Sequence, residues 1–236
     1  MVMRKAKLSL IIPAYNEEKR IKDTLEQYAK FFSGKMDYEI IVITDGCTDR
    51  TVEVIKEVTR KHPNVRNRDY PKKLGKGGAV LKGFELARGE LVAYADADGA
   101  TPPKELMKLI KKMGRYDGAI GSRWMEGSSM MQKQPLSRRI ASRILNALVR
   151  ALLGMPYKDT QCGAKVFKRN AIKGILEGVK TTNFAFDITL LFHMNRKGFR
   201  IKEVPIKWSD RDFSTLKISR AAPRMFLVII KLLFKR

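Results

Sequence analysis

Residues 91–98 read Leu91-Val92-Ala93-Tyr94-Ala95-Asp96-Ala97-Asp98, a short apolar run followed directly by two carboxylates. An apolar run that ends in a polar turn is typical of a strand buried inside a sheet. The Asp-x-Asp spacing lets both carboxylates converge on one hard cation such as Mg2+ or Mn2+. An isolated pair of this kind is equally compatible with a solvated turn. Other motifs in the sequence are needed to distinguish a metal site from such a turn.

The chain repeats this pattern of an apolar run, a turn and a helix. Leu8 to Ile12 ends at Pro13, Tyr38 to Thr44 ends at Asp45, and apolar residues at helical spacing follow each run. Further units of the same kind lie between residues 65 and 122. Alternating strands and helices predict an α/β fold with a mostly parallel sheet, whose ligands bind outside the carboxyl ends of the strands.

Carboxylates also follow the two earlier strands. Glu17 lies after the first, and Asp45 and Asp49 lie after the second. We expect them at the same edge as Asp96 and Asp98, where clustered carboxylates would repel one another without a cation. The sequence therefore favours a metal site over a solvated turn. Asp45 and Asp49 have a second interpretation, as caps of the helix that follows them.

A glycine-rich turn, Gly75-Lys76-Gly77-Gly78-Ala79, precedes another predicted helix. It has neither the P-loop nor the dinucleotide-binding spacing, but a helix start with bare amides beside a lysine would suit a diphosphate. Zinc and serine-hydrolase chemistry are excluded, because His62 and His193 are isolated and neither Cys-x-x-Cys nor Gly-x-Ser-x-Gly occurs.

The charge balance points to an anionic partner. The 236 residues include 48 Lys and Arg against 24 Asp and Glu, a formal net charge of +24, and the basic excess is larger after residue 134 than before it. Nucleic acid, a membrane surface and a phosphorylated substrate all fit this balance. The two cysteines, Cys47 and Cys162, cannot form a disulfide framework and fit a reducing compartment such as the cytosol.

Two segments of the second half have an apolar face and a basic face. On the helix from Pro135, one face carries Ile140, Ile144, Leu145, Leu148 and Leu152, and the opposite face carries Arg139, Ser142, Arg143, Asn146 and Arg150. The tail has a short apolar stretch flanked by basic residues. Both segments fit helices lying on an anionic bilayer, and both also fit packing against a core.

We find neither a signal peptide nor a stretch long enough to span a membrane, so peripheral attachment is expected. The simplest division is a domain over residues 1–218 with a basic amphipathic C-terminal interface helix over 219–236.

Taken together, six motifs resemble those of the family 2 glycosyltransferases with a GT-A, Rossmann-like fold. They run in order from Leu8 to Trp208: Pro13-Ala14-Tyr15-Asn16-Glu17, Asp45-Gly46-x-x-Asp49, Gly75-Lys76-Gly77-Gly78-Ala79, Asp96-Ala97-Asp98-Gly99-Ala100-Thr101, Gly121-Ser122-Arg123 and Asp159-Thr160-Gln161-Cys162-Gly163. Within the family the sequence looks most like the dolichyl-phosphate glucosyltransferases and dolichyl-phosphate mannose synthases.

The resemblance implies an inverting, metal-dependent enzyme that uses a nucleotide sugar, Mg2+ or Mn2+, and a dolichyl or polyprenyl phosphate at the cytoplasmic face of a membrane. The glycine-rich turn and the Asp96 to Thr101 motif look more like the glucosyl than the mannosyl branch, which favours UDP-glucose. The eukaryotic glucosyl enzymes carry an N-terminal membrane anchor, which this sequence does not show.

Carried over by position, the resemblance also implies roles for individual residues. Asp96 and Asp98 would hold the metal and the diphosphate, and Asp159 and Asp187 are candidates for a general base if one is needed. The nucleotide would be lined by Pro13, Ala14, Tyr15, Glu17, Asp45, Lys76, Gly77 and Ala97. The diphosphate and the lipid phosphate would be faced by Arg123, Arg211, Ser214 and Lys217.

Three alternatives stay open: a glycosyltransferase with another acceptor, a sugar nucleotidyltransferase and a non-enzymatic nucleic-acid-binding protein. A nucleotidyltransferase needs a Gly- and Arg-rich loop after the first strand, which residues 13–18 lack. Nucleic acid is not an expected partner, because the basic sequence contains no recognition motif or aromatic platform.

Overall fold

The computed structural model describes residues 6–130, 136–209 and 218–234. Arg211, Ser214 and Lys217, which we expect near the phosphates, lie outside the described residues. Helices lie on both sides of a central sheet, as the alternation of strands and helices predicts.

The described residues contain a seven-stranded sheet with the order β3-β2-β1-β4-β7-β5-β8 and a two-stranded ribbon of β6 and β9. The strands are β1 (Leu8–Ala14), β2 (Tyr38–Asp45), β3 (Val65–Tyr70), β4 (Leu91–Tyr94), β5 (Gly118–Ser122), β6 (Ser129–Met130), β7 (Lys165–Lys168), β8 (Ile201–Pro205) and β9 (Lys207–Trp208).

Strand β7 is antiparallel to both of its neighbours, β4 and β5, whereas the other pairs in the large sheet are parallel. The beginning of β7 therefore lies at the same edge as the ends of β1, β2, β4 and β5. The sequence predicts a return to the sheet near residue 165 but not its direction.

Helices form two layers on this sheet. They are α1 (Ile21–Phe32), α2 (Thr51–Lys61), α3 (Lys76–Leu86), α4 (Pro103–Met113), α5 (Leu136–Leu153), α6 (Arg169–Ile175), α7 (Phe186–Arg196) and α8 (Ile218–Leu233). Alternate residues of a strand point to opposite faces, so Leu10 and Ile12 pack with α1, α2 and α4 while Ile11 packs with α3, α7 and α8.

The C-terminal helix α8 has two different sides. Met225, Ile229 and Leu232 are buried in the core beside α5 and α7, whereas Phe226 and Leu227 are 47% and 59% exposed. One side of this helix therefore belongs to the core. The division of the chain at residue 218 stays a prediction. None of the described helices is long and apolar enough to cross a membrane.

The buried face of helix α5 differs from the apolar face that we predict from its sequence. Ile140 and Ile144 are 48% and 56% exposed, and Asn146, which the sequence places on the polar side, is buried. The side-chain oxygen of Asn146, Oδ1, accepts hydrogen bonds from the backbone amide and the hydroxyl of Thr160, both at 2.8 Å. A helical wheel cannot foresee a partner fourteen residues away in the next loop.

Candidate active site

The turn after β4 is held from below by helix α1. The Thr24 hydroxyl donates to the carbonyl of Ala97 at 2.9 Å, and the Tyr28 hydroxyl donates to the carbonyl of Thr101 at 2.9 Å. Gly99 has φ +69°, and a Cβ there would lie 2.9 Å from the Thr24 hydroxyl oxygen, so the turn needs glycine at this position. These contacts fix the backbone that carries Asp96 and Asp98.

Asp96 is the most constrained carboxylate of the site. Its Oδ1 lies 2.8 Å from the Lys76 ammonium. Burial opposes ionisation, but the charge and hydrogen bond of Lys76, followed by the charges of Lys165 and Arg123, outweigh burial and lower the pKa of Asp96. The Lys76 ammonium at the start of α3 therefore favours the ionised form of Asp96.

Two further carboxyl groups face Asp96. Burial and then the charge of Asp96 raise the pKa of Asp98, although the Ala100 amide donates to its Oδ1 at 2.9 Å. Burial also raises the pKa of Glu17; an ion pair with Arg20 opposes this shift, and the charges of Asp98 and Asp96 add to it. The structure thus brings Glu17, Asp96 and Asp98 together at one edge of the sheet.

The donor set fits a divalent cation that takes most of its ligands from a substrate. Among the described residues, no group of three or more His, Cys, Asp or Glu side chains is arranged to hold a metal alone. Mg2+ in proteins is commonly held by one or two carboxylates together with substrate phosphates. Asp96 and Asp98 supply two such carboxylates.

Asp45 binds the backbone in a way that the sequence does not indicate. Its carboxylate accepts hydrogen bonds from the amides of Leu74 and Gly75, the latter at 3.0 Å, and its side chain is buried. Nearby, the Lys73 ammonium lies 3.4 Å from the centre of the Tyr15 ring. That Asp45 lines a nucleotide stays a prediction; the observed contact orders the glycine-rich turn.

The second interpretation of Asp49 is the one that the structure shows. Asp49 accepts hydrogen bonds from the Thr51 amide and hydroxyl and from the Glu18 amide. Burial opposes ionisation, but these hydrogen bonds outweigh it and lower the pKa of Asp49. Asp49 thus joins the start of α2 to the loop after β1.

The expected bare amides of the glycine-rich turn are not bare. The amides of Gly77 and Gly78 donate to the carbonyl of Thr182 at 2.8 and 3.2 Å. A Cβ at Gly77 would lie 2.5 Å from Cβ of Phe186, so the glycines permit close packing against residues 181–186. The amides of Gly77 and Gly78 are therefore already bonded within the protein, and that this turn binds a diphosphate through Lys76 and Gly77 stays a prediction.

Both candidate general bases are held in ion pairs. Asp159 binds Arg123 through two contacts, Nε to Oδ2 at 2.7 Å and Nη2 to Oδ1 at 3.0 Å, and is fully buried. Burial opposes ionisation of Asp159, but the charge and hydrogen bonds of Arg123 outweigh it and lower its pKa. The buried Asp187 lies 2.6 Å from the Lys165 ammonium. Both carboxylates are buried and paired with a cation, so neither is exposed as a general base needs to be.

Sequence reasoning missed a set of unpaired polar atoms on residues 124–161. Among the buried side-chain atoms of the described residues that have no hydrogen-bond partner, four belong to this set: Trp124 Nε1, Gln161 Nε2, Arg139 Nε and Ser142 Oγ. The Arg143 and Arg123 guanidinium carbons lie 5.2 and 5.9 Å from the centre of the Trp124 ring. Three of the four atoms are obligatory donors, so this region is suited to an anion.

The known proteins that this chain resembles are glycosyltransferases. The model of glycosyl transferase family 2 matches residues 9–176. Glycosyltransferase AglD of Haloferax volcanii is 34% identical over 218 residues, covering 90% of this chain and 35% of that protein. The dolichyl-phosphate beta-glucosyltransferase of Drosophila melanogaster is 35% identical over 224 residues, covering 89% of this chain and 69% of that protein. The chain thus spans about a third of the first relative and about two thirds of the second.

A solved structure confirms the fold. Glucosyl-3-phosphoglycerate synthase from Mycobacterium tuberculosis, in complex with Mn2+ and UDP-glucose, superposes with a TM-score of 0.69 at 19% identity. The match covers 97% of this chain and 78% of that one. The α/β fold of GT-A type, with a mostly parallel sheet flanked by helices, is as the sequence predicts.

The ion pair of Arg123 and Asp159 yields a stability prediction. Asp159→Asn leaves a buried guanidinium without its counter-charge and should lower the free energy of unfolding by about 3 kcal/mol. Urea denaturation followed by circular dichroism measures the change. Glu85→Gln, which breaks the exposed pair with Lys82, is the control and should change stability by less than about 1 kcal/mol. A stable but inactive Asp159→Asn protein would instead indicate a chemical role for this carboxylate.

Proposed function

We propose a reaction for this chain on the premise that it belongs to glycosyl transferase family 2. The chain transfers a hexose, with glucose favoured over mannose, from a UDP- or GDP-sugar to dolichyl or polyprenyl phosphate, with inversion at the anomeric carbon. The observation that carries the proposal is the partly exposed edge of the sheet where Asp96, Asp98 and Lys76 meet. The names of the Drosophila and Mycobacterium proteins support a glucosyl donor.

The donor half of the reaction rests on Asp96 and Asp98. These carboxylates would hold Mg2+ or Mn2+ together with the diphosphate, and the bound cation would offset the charge that develops on the leaving group. Lys76 lies within 2.8 Å of Asp96 and adds a fixed positive charge on the same side. Asp96 and Lys76 therefore place both signs of charge where a nucleotide diphosphate has to bind.

The acceptor half rests on the unpaired donors near Arg123. The oxygens of a phosphate monoester could accept hydrogen bonds from Trp124 Nε1 and Gln161 Nε2, which have no acceptor among the described residues. Arg123 and Arg143 supply positive charge beside them. The loop that carries Gln161 ends at Gly163, whose backbone packs against Asp96, so the acceptor region adjoins the donor region. Since a phosphate is already ionised at neutral pH, the reaction needs no general base, in keeping with the ion pairs of Asp159 and Asp187.

An apolar and basic surface supports attachment to a membrane. The neighbouring helices α5 and α8, with the residue that follows α8, carry exposed apolar side chains, namely Leu136, Ile140, Ile144, Phe226, Leu227 and Phe234. The net charge of +24 would favour an anionic leaflet. We therefore place the protein on the cytoplasmic face of a membrane as a peripheral enzyme, where a lipid-linked phosphate can reach the acceptor region.

Asp98→Asn tests the donor site. Removing one ligand charge should abolish metal-dependent UDP binding and lower sugar transfer by at least about 100-fold. Transfer of labelled glucose from UDP-glucose to dolichyl phosphate in detergent provides the measurement, with GDP-mannose as the alternative donor. Asp117→Asn, at the opposite end of the sheet, is the control and should retain activity. Undiminished transfer by Asp98→Asn would exclude this carboxylate as a metal ligand.

Trp124→Phe tests the acceptor site. The variant removes an N–H that has no partner among the described residues, so stability should hold. A lost hydrogen bond to phosphate should raise the KM for dolichyl phosphate about 10-fold and leave the KM for the donor unchanged. Trp208→Phe, whose ring also lies beside Arg123, is the control. Equal use of a soluble phosphate monoester, such as phosphoglyceric acid, would support the anion site but contradict the lipid acceptor.

Paired substitutions on α8 test the membrane surface. Phe226→Ser with Leu227→Ser removes two exposed apolar side chains and should weaken binding to phosphatidylserine-containing vesicles at least about 10-fold, because apolar burial in the bilayer is lost. Cosedimentation measures binding, and UDP affinity should not change. Vesicles of phosphatidylcholine alone should bind the unmodified protein more weakly. Unchanged binding of the variant to anionic vesicles would contradict this surface.

A further inference from the structure

Three polar side chains form a buried cluster behind Asp96. Lys165 and Asp187 lie 2.6 Å apart with 0% and 3% of their side chains exposed, and the Tyr94 hydroxyl donates to the same Asp187 oxygen. The three residues come from the beginning of β7, the first turn of α7 and the end of β4. An ammonium in such a place requires a counter-charge, which Asp187 supplies.

Lys165 also holds the loop that touches Asp96. Its ammonium donates to the carbonyl of Cys162 at 2.5 Å. The next residue, Gly163, packs so closely on Asp96 that a Cβ there would lie 1.9 Å from Oδ2 and 2.4 Å from Cγ. The backbone that Lys165 fixes is thus one wall of the space in which the Asp96 carboxylate can move.

Asp187 connects the same cluster to the other side of Asp96. It belongs to the first turn of α7, directly after the segment whose Thr182 carbonyl accepts the amides of Gly77 and Gly78. That segment holds the start of α3, and α3 begins with Lys76, the ion-pair partner of Asp96. The cluster therefore connects the loop of Gly163 with the segment that holds Lys76, and both of these residues contact the Asp96 carboxylate.

Stability alone does not account for such a cluster. A buried ion pair contributes little net stability compared with apolar side chains of similar volume, because desolvation offsets the attraction between the charges. An apolar trio in this position would support the fold equally well. The polar cluster instead provides directed contacts, to Cys162 on one side and α7 on the other.

We propose that Lys165 is a positioning residue for the donor site, which holds Gly163 against Asp96 and is itself held by Asp187 and Tyr94. The inference rests on the proposed function, because it assigns to this cluster the orientation of a carboxylate that binds metal and diphosphate. Lys165 acts through the backbone of residues 162–163.

A variant with an apolar cluster separates positioning from stability. The triple substitution Tyr94→Phe, Lys165→Met and Asp187→Leu removes every charge and hydroxyl of the cluster together, so the fold should survive. Titration calorimetry with UDP in the presence of Mn2+ should show affinity reduced about 10- to 100-fold, the range typical of lost outer-shell partners. Thermal denaturation should show a melting temperature close to that of the unmodified protein.

Lys168→Met is the matched control, since Lys168 lies on the same strand but pairs with Asp117 at a partly exposed position. It should bind UDP and Mn2+ as the unmodified protein does. If the triple variant fails to fold, Gly163→Ala decides the proposal without it.

Gly163→Ala provides a second and independent test, because its methyl group would meet the Asp96 side chain directly. A comparable loss of affinity with an unchanged melting temperature supports the proposal. Normal Mn2+-dependent UDP binding by the triple variant or by Gly163→Ala overturns it. Failure of the unmodified protein to bind UDP with Mn2+ would instead overturn the proposed donor site, and this inference with it.

Discussion

The arrangement of the site depends on the confinement of the Asp96 carboxylate. One oxygen pairs with Lys76 and the other faces the backbone of Gly163, so the group has little freedom to rotate. Residues 181–187 hold the start of α3, which carries Lys76, and Lys165 holds the loop that carries Gly163. Strand β7 runs antiparallel to β4 and β5, so the loop that precedes β7 lies at the end of β4.

Much of the site could be predicted because the carboxyl ends of parallel strands share an edge. Glu17 comes close to Asp96 for this reason, and Asp98 is near because it lies in the same turn. The order of strands and helices followed from apolar periodicity. The partners of Asp45 and of the Gly77 amide could not be predicted. Each is a backbone group some thirty to a hundred residues away, and no local pattern in the sequence records such a contact.

Charge in this molecule is arranged in two ways. At the surface the excess of basic residues is suited to long-range attraction of an anionic partner. Closer to the site, three carboxylates each pair with a specific cation, with Lys76 for Asp96, Arg123 for Asp159 and Lys165 for Asp187. Such pairing orients the carboxylates. It also explains why Asp159 and Asp187, the candidate general bases of the sequence, are held in ion pairs.

The central claim is that Asp96 and Asp98 hold a divalent cation together with a nucleotide diphosphate. Anomalous diffraction from crystals of the protein grown with Mn2+ and UDP tests it most directly. The account predicts an Mn2+ peak at coordinating distance from an Asp98 oxygen, beside Asp96, and in contact with the diphosphate. A nucleotide bound at this edge with no Mn2+ peak between it and these carboxylates, or an Mn2+ peak elsewhere in the protein, would contradict it.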